Sequence, residues 1–162
     1  MLYKYICYTI VMKDNRKVLP DIHLYTGIEK SKMYSDRVTV TIILEAQNAK
    51  PVMLPGKAVS IPEERRTEGN YYHFILLKAL EYGIQAIHEA SSQPFRVVFH
   101  PNNDRIFFEY SREREEDGRF SSTAYDLDVW KQIEELLNLR GSELVIENRD
   151  SCLAYLGKLN RR

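Results

Sequence analysis

β-Branched and aromatic residues gather in short runs along the chain, and these runs predict its strands. Residues 38–44 (VTVTIIL) form the strongest of them, because β-branched side chains fit a pleated surface. Residues 51–61 (PVMLPGKAVSI) predict an irregular strand, and Pro55 and Gly56 in its middle indicate an edge position or a bulge. The other predicted strands are residues 2–12, 19–25, 95–99 and 143–147.

Apolar residues at helical spacing predict two helices. The longer covers residues 70–90, and its apolar stripe is broad enough to predict burial on much of its surface. The second begins with Asp126 or Asp128 as its cap and carries Trp130 on its apolar face. Residues 101–110 fit either a strand or a helical turn.

The order of these elements predicts an α/β fold. Early strands at loop spacing pair antiparallel, and later strands joined through helices pair parallel. The 162 residues suffice for one domain, so we expect residues 1–162 to form a single mixed sheet of about five strands flanked by helices. The residues expected to be buried are Val40, Ile42, Leu76, Ala79, Val98, Trp130, Ile133 and Val145.

Composition narrows the class of protein. Lysine plus arginine number 23, as do aspartate plus glutamate, so the chain lacks the basic excess typical of nucleic-acid binders. No apolar run approaches the roughly 20 residues that span a bilayer, and residues 1–5 lack a signal-peptide layout. We therefore expect a cytoplasmic protein. Cys7 and Cys152 are too few for a disulfide scaffold or a zinc site, and we expect two buried thiols.

Several short motifs accompany this element order. Residues 22–27 (IHLYTG) end a strand with a small residue and glycine, and residues 96–102 (RVVFHPN) end another in a polar turn. Residues 67–70 (TEGN) lead into the long helix, and residues 126–133 (DLDVWKQI) place a tryptophan in the later one. Over residues 18–160 the chain thereby resembles the ribonuclease H family.

The resemblance implies a sheet order. Counted along residues 18–160, the strands would lie third, second, first, fourth, fifth across the sheet. Residues 1–17 fall outside the resemblance and would add an N-terminal strand extension. An alternative register takes residues 2–12 as the family's first strand, but it leaves an unduly long loop over residues 47–69, and we disfavour it.

The resemblance also implies a chemistry, which this sequence does not support. The family hydrolyses its substrate with two divalent ions held by clustered carboxylates, and such hard ions need anionic oxygen ligands. The four carboxylate positions align with Thr26, His73, Pro101 and Ser151, the last with Cys152 as the alternative. None of these side chains is a carboxylate, so we expect no catalytic residue, no metal and no cofactor.

Neighbouring acidic residues leave an alternative open. We call the four aligned positions that lack a carboxylate the degenerate positions. Glu68, Asp104 and Asp150 lie near them in sequence, and with His73 these residues would make a rearranged metal site. The chain would then be a nuclease with a displaced active site that uses magnesium or manganese. We disfavour this alternative, because each side chain is more simply explained as a solvated loop carboxylate or, for His73, a partly buried helix-face histidine.

Histidines and tyrosines offer weaker signals. His23, His73 and His100 would form a cluster if the fold brought them together, but without paired spacing we expect ordinary structural roles. The eleven tyrosines suggest an interface or a stacking surface, although core and half-buried strand positions explain them more simply.

These observations predict a catalytically inactive ribonuclease H-like domain that binds nucleic acid or protein through the former substrate face. A purely structural or interaction protein is a further alternative. Residues 1–12 have no slot in the family's sheet, so they must pair at a sheet edge or with another molecule. Pairing across a two-fold axis would give a homodimer, and we favour edge pairing within one chain over it.

Overall fold

The computed structural model describes residues 18–28, 37–66, 71–101 and 126–147, together with Asn103, Ile106, Phe107, Tyr110 and Tyr155. The strands are β1 (Asp21–Ile28), β2 (Arg37–Ala46), β3 (Val52–Met53), β4 (Lys57–Ser60), β5 (Arg96–His100) and β6 (Glu143–Ile146). The helices are α1 (Glu63–Arg66), α2 (Tyr71–Ala90) and α3 (Leu127–Asn138). The predicted N-terminal strand and both cysteines lie outside the described residues.

All six strands join one mixed sheet. Its order is β3-β2-β1-β5-β6, with β4 also paired to β2. The β1–β2, β2–β3 and β2–β4 pairs are antiparallel, whereas β1–β5 and β5–β6 are parallel. This arrangement confirms the predicted α/β class and the predicted order across the sheet, with the third strand divided in two.

The division of that edge strand follows from its sequence. β3 and β4 pair with opposite ends of β2, and Pro55 and Gly56 lie between them. A proline cannot donate to the ladder, which confines it to an edge or an interruption. A Cβ on Gly56 would stand 3.1 Å from Thr39 Cγ2, so a small residue also suits the close approach to β2.

Helix α2 covers one face of the sheet and forms the centre of the core. Eleven of its residues are buried, among them Leu77, Leu80, Ile84 and Ile87. At Gly83 the helix backbone comes so close to β1 that a Cβ would stand 2.3 Å from Leu24 Cδ1. The predicted burial of the long helix is confirmed.

Helix α3 packs beside α2 and completes this layer. Trp130 and Ile133 are fully buried in the same core as α2, as predicted. Six of the eight predicted core residues are joined in that core, and Val98 is buried on the other face of β5. The prediction for Val145 is wrong, because β6 directs Leu144 and Ile146 to the core and leaves Val145 37% exposed on the opposite face.

Candidate functional site

The carboxyl ends of β1 and β5 bring two of the degenerate positions together. The parallel register pairs Tyr25 with His100, so Thr26 and Pro101 follow side by side along the two strands. Thr26 is 2% exposed and Pro101 is buried. Within the described part of the chain, Thr26 Oγ1 has no hydrogen-bond partner. These two positions therefore offer one neutral hydroxyl and no anionic oxygen.

The third degenerate position, His73, lies in the first turn of α2. Its side chain is buried, and its Nδ1 lies 2.7 Å from Asp126 Oδ2. Because helix α2 packs on β1, this imidazole occupies the same side of the sheet as the alternating core residues of that strand. The position thus carries a histidine bound to a carboxylate from another element.

Asp126 is the acidic residue that the structure adds to this region. Its side chain is 1% exposed and also forms an ion pair with Arg65, a residue of α1. Its backbone has φ 55°, a left-handed conformation that aspartate tolerates better than most residues. A carboxylate already satisfied by a guanidinium and an imidazole is poorly placed to hold a divalent cation as well.

This role for Asp126 differs from the sequence prediction. Asp126 precedes α3 as predicted, but it makes no side-chain capping hydrogen bond. Sequence alone does not separate the two roles, because aspartate favours both helix caps and left-handed backbone. Only the tertiary approach of α1 and α2, which brings Arg65 and His73 to it, reveals the buried cluster.

Four of the remaining predicted positions lie outside the described residues: Ser151, Glu68, Asp104 and Asp150. A helical turn does follow β5, since Asn103 Oδ1 accepts a hydrogen bond from the Ile106 backbone N–H at 3.0 Å and Ile106 and Phe107 are helical. The helical alternative for residues 101–110 therefore holds at these positions.

The three predicted histidines do not form one cluster. His23 and His100 lie on the face of the sheet opposite α2, where His23 Nδ1 and His100 Nε2 are 2.9 Å apart. His73 belongs to the α2 face and to Asp126. In the described segments, no group of three or more histidine, cysteine, aspartate or glutamate side chains is placed to hold a metal ion.

A cavity of about 400 Å³ opens beside His23. It is lined by Asp21, Glu45 and residues 46–49 as well as His23. Asp21 is bound by Arg96, whose terminal nitrogen lies 2.9 Å from Asp21 Oδ2. The hydrogen bond and the charge of Asp21 together raise the pKa of the Arg96 guanidinium. The acidic wall of the cavity is therefore partly neutralised.

The fold and this geometry can be compared with known structures. The RNase H1 of the halophilic archaeon Halobacterium salinarum NRC-1 superposes with a TM-score of 0.50 at 11% identity, covering 82% of this chain and 87% of its own. The chain has a ribonuclease H-like fold. The prototype foamy virus RNase H domain gives a TM-score of 0.41 at 9% identity, covering 86% of this chain and 88% of its own.

Sequence comparison adds nothing to this assignment. No protein-family model matches the chain, and no curated protein matches it either. In the parts of the chain described here, no helix has the length and apolar character needed to cross a bilayer. The ribonuclease H-like fold is thus shown by the architecture alone.

Proposed function

We propose that this chain is a non-catalytic ribonuclease H-like domain that acts by binding a partner, with nucleic acid as the favoured partner. The observation that carries the proposal is the chemistry of the three described positions. Thr26, His73 and Pro101 are all buried and supply no carboxylate. Two divalent ions need several anionic oxygens between them, and without these the hydrolytic water is not activated.

The buried ion cluster strengthens this proposal. Asp126 is the carboxylate that contacts His73, and its charge is balanced by Arg65. Taking up a metal there would break an ion pair inside a packed layer, which is strongly destabilising. The cluster is accordingly a structural feature that joins α1, α2 and α3.

A pair of tyrosines at the start of α2 supports a nucleic-acid partner. The rings of Tyr71 and Tyr72 are stacked with centroids 4.9 Å apart, and both residues are half-buried. They directly precede His73 in the first turn of α2. Aromatic rings that remain partly accessible can stack on nucleic-acid bases, a contact worth about 1–3 kcal/mol per base.

Fluorescence anisotropy with labelled RNA–DNA hybrid, duplex RNA and single-stranded DNA tests the proposal. We expect binding that weakens as salt increases, and a loss of about tenfold or more in the Tyr71→Ala, Tyr72→Ala double variant. Tyr82→Ala is the matched control, because Tyr82 is a half-buried tyrosine about three helical turns further along α2. Absence of binding to all three ligands at low salt would contradict the nucleic-acid partner and favour the interaction-protein alternative.

A homodimer through residues 1–12 is the alternative to edge pairing within one chain, which we favour. It follows from the strand-like sequence of this segment and from the need to pair exposed strand edges. Light scattering on the full chain and on a chain beginning at Lys17 tests it. A dimer that dissociates on truncation supports the proposal, and a full-length monomer at high concentration refutes it.

A further inference from the structure

An arginine side chain joins the end of α2 to the turn that follows α3. Arg140 Nη1 donates hydrogen bonds to the backbone carbonyl oxygen of His88, at 2.8 Å, and to that of Ser91. These carbonyls lie in and just beyond the last turn of α2, where helical carbonyls have no partner within the helix. The positive charge of Arg140 also suits the negative end of the helix dipole. Arg140 therefore caps α2 from another element, and we call this contact the Arg140 bridge.

The bridge lies where both helices meet the start of β5. Ser142 Oγ accepts a hydrogen bond from the Phe95 backbone N–H at 3.1 Å, and the Ser142 N–H donates to the Leu137 carbonyl oxygen at 2.9 Å. Phe95 immediately precedes β5 and is 2% exposed. We call residues 88–95 and 139–142 the helix-end joint. Directed hydrogen bonds from three elements thus hold this joint together.

The imidazole of His88 belongs to the joint. The ring planes of His88 and Phe95 are inclined by 69°, with centroids 5.5 Å apart. Among the residues that the structure describes, His88 Nε2 is shielded from solvent and has no hydrogen-bond partner. A neutral imidazole suits such surroundings better than an imidazolium, because burying a charge without a partner is far more costly than burying a neutral polar group.

The charge that acts on this imidazole is that of Arg140. Burial, and then the positive charge of Arg140, lower the pKa of His88. Cations are favoured at the carboxyl end of a helix, but Arg140 already occupies that position, so a protonated His88 would be a second cation there. The other charged residues of the adjoining segments are Glu89, which is exposed, Arg96, which is bound to Asp21, and Glu143, whose charge acts on Arg96.

The coupling between the two groups works in both directions. If the bridged Arg140 disfavours a proton on His88, a proton on His88 disfavours the bridge by the same factor. An open joint would expose the imidazole to water and let the two cations separate, so the open form binds the proton more readily. A fall in pH therefore shifts the equilibrium from a closed joint towards an open one.

We propose that protonation of His88 releases the Arg140 bridge, so that the end of α3 separates from the end of α2 in weakly acidic solution while the sheet stays folded. The joint can open without uncovering the core, because much of its surface already faces solvent; its exposed residues are Ser92, Gln93, Leu139 and Gly141. Trp130 and Ile133, nearer the start of α3, stay packed against α2. The device lies at the amino end of β5, away from Pro101 at its other end, and is independent of the proposed partner binding.

Amide hydrogen exchange of the full chain at about pH 7 and about pH 5, corrected for intrinsic exchange rates, tests the proposal. We expect the protection of the Ser91 and Ser142 N–H groups to fall at the lower pH. The fall should be about tenfold for each pH unit that separates the pKa of His88 in the closed joint from that in the open joint. Protection of Leu24 and Leu44 in the sheet should not change. In His88→Gln the joint should keep its protection at both pH values.

Two further variants test the part played by Arg140. Arg140→Gln should lower the protection of the joint at both pH values, whereas Lys131→Gln, which removes an exposed positive charge elsewhere on α3, should behave as the unsubstituted chain. Loss of protection in the joint and the sheet together would overturn the proposal, as would a pH dependence that persists in His88→Gln.

Titration of the His88 ring by nuclear magnetic resonance needs no histidine variant. We expect a pKa below 6.5 in the unsubstituted chain and in Lys131→Gln, and a higher pKa in Arg140→Gln, because the repelling charge is gone. The same pKa in Arg140→Gln as in the unsubstituted chain would show that the two groups are not coupled and would refute the device.

Discussion

At the scale of single residues, Asp126 ties together the three helical elements. Its backbone is left-handed and lies immediately before α3. Its side chain contacts His73 of α2 and forms an ion pair with Arg65 of α1. Breaking a buried ion pair leaves the partner charge uncompensated, and this costs more than the pair itself contributes. The carboxylate is therefore expected to matter for stability out of proportion to its size.

The Asp126→Asn substitution tests this expectation. Asparagine tolerates the same left-handed backbone, so the change removes the charge and leaves the shape nearly intact. We expect the free energy of unfolding to fall by roughly 2–4 kcal/mol in urea denaturation. Asp128→Asn is the control, because that side chain is 75% exposed and lies 3.9 Å from the same Arg65; its effect should stay within about 0.5 kcal/mol. Equal effects of the two changes would contradict the role given to Asp126.

His88 makes stability depend on pH. Burial, and then the positive charge of Arg140, lower its pKa below the ordinary value of 6.5. The unfolded chain therefore binds the proton first as the pH falls below 6.5, and this contribution to the free energy of unfolding decreases between 6.5 and the lower pKa of the folded chain.

The pH prediction can be isolated by substitution. Urea denaturation at about pH 8 and about pH 5 should show a smaller loss of stability for His88→Gln than for the unsubstituted chain, because the variant lacks this titrating group. Other groups contribute equally to both proteins, so the difference between the two losses is the informative quantity. An identical loss in both would refute a lowered pKa at His88.

The absence of carboxylates at the degenerate positions can be read from the sequence, whereas the residues that these side chains contact cannot. Pro101 directly follows β5 as its motif indicated, whereas Thr26 lies inside β1, which continues to Ile28 and not only to the predicted Tyr25. The pairing of His73 with Asp126 spans 53 residues and depends on how two helices pack. For the same reason the meeting of His23 and His100, which the sheet brings together across 77 residues, had no local signal.

At the scale of elements, the contact between α2 and β1 decides how the main layer packs. Gly83 lets the helix backbone approach Leu24 and Ile42, and both of these side chains are buried. Glycine in a helix interior costs about 1 kcal/mol relative to alanine. Its presence in the middle of a 20-residue helix therefore indicates that close packing outweighs helix propensity here.

Gly83→Ala tests this balance. The added methyl would overlap the Leu24 side chain in a packed core, and overpacking of this kind costs typically about 1–3 kcal/mol. We expect a net loss of stability in thermal or urea denaturation. In a Leu24→Ala background the same substitution should become neutral or stabilising, since the space is then free and the helical preference for alanine remains. A stabilising effect in the unsubstituted chain would show that the approach is not tight.

The elements themselves were predictable to different degrees. β2 and α2 carry strong local patterns, and the structure has both close to their predicted bounds. Val145 was assigned to the wrong face, because a four-residue strand at the sheet edge gives too few positions to fix its alternation. Pro55 and Gly56 predicted an edge position or a bulge, and the structure divides the predicted strand at these residues into β3 and β4.

At the scale of the whole molecule, the topology is ribonuclease H-like, whereas the side chains at the aligned positions are not carboxylates. The resemblance to the ribonuclease H family implied the order across the sheet that the structure shows, β3-β2-β1-β5-β6, whereas the order of the elements by itself predicted only a mixed sheet flanked by helices. A fold of this kind hosts its function in particular side chains and not in its topology. Here the side chains of Thr26, His73 and Pro101 are not carboxylates, and the proposed absence of catalysis rests on these three positions.

A cleavage assay tests the central claim most directly. Labelled RNA–DNA hybrid, duplex RNA and single-stranded DNA would be incubated with excess, stringently purified protein and either magnesium or manganese. We predict no cleavage above that of the buffer, because Thr26, His73 and Pro101 supply no anionic ligand. Metal-dependent cleavage that persists in Asp128→Asn but disappears in Glu68→Gln, Asp104→Asn or Asp150→Asn would contradict this account and establish a displaced active site.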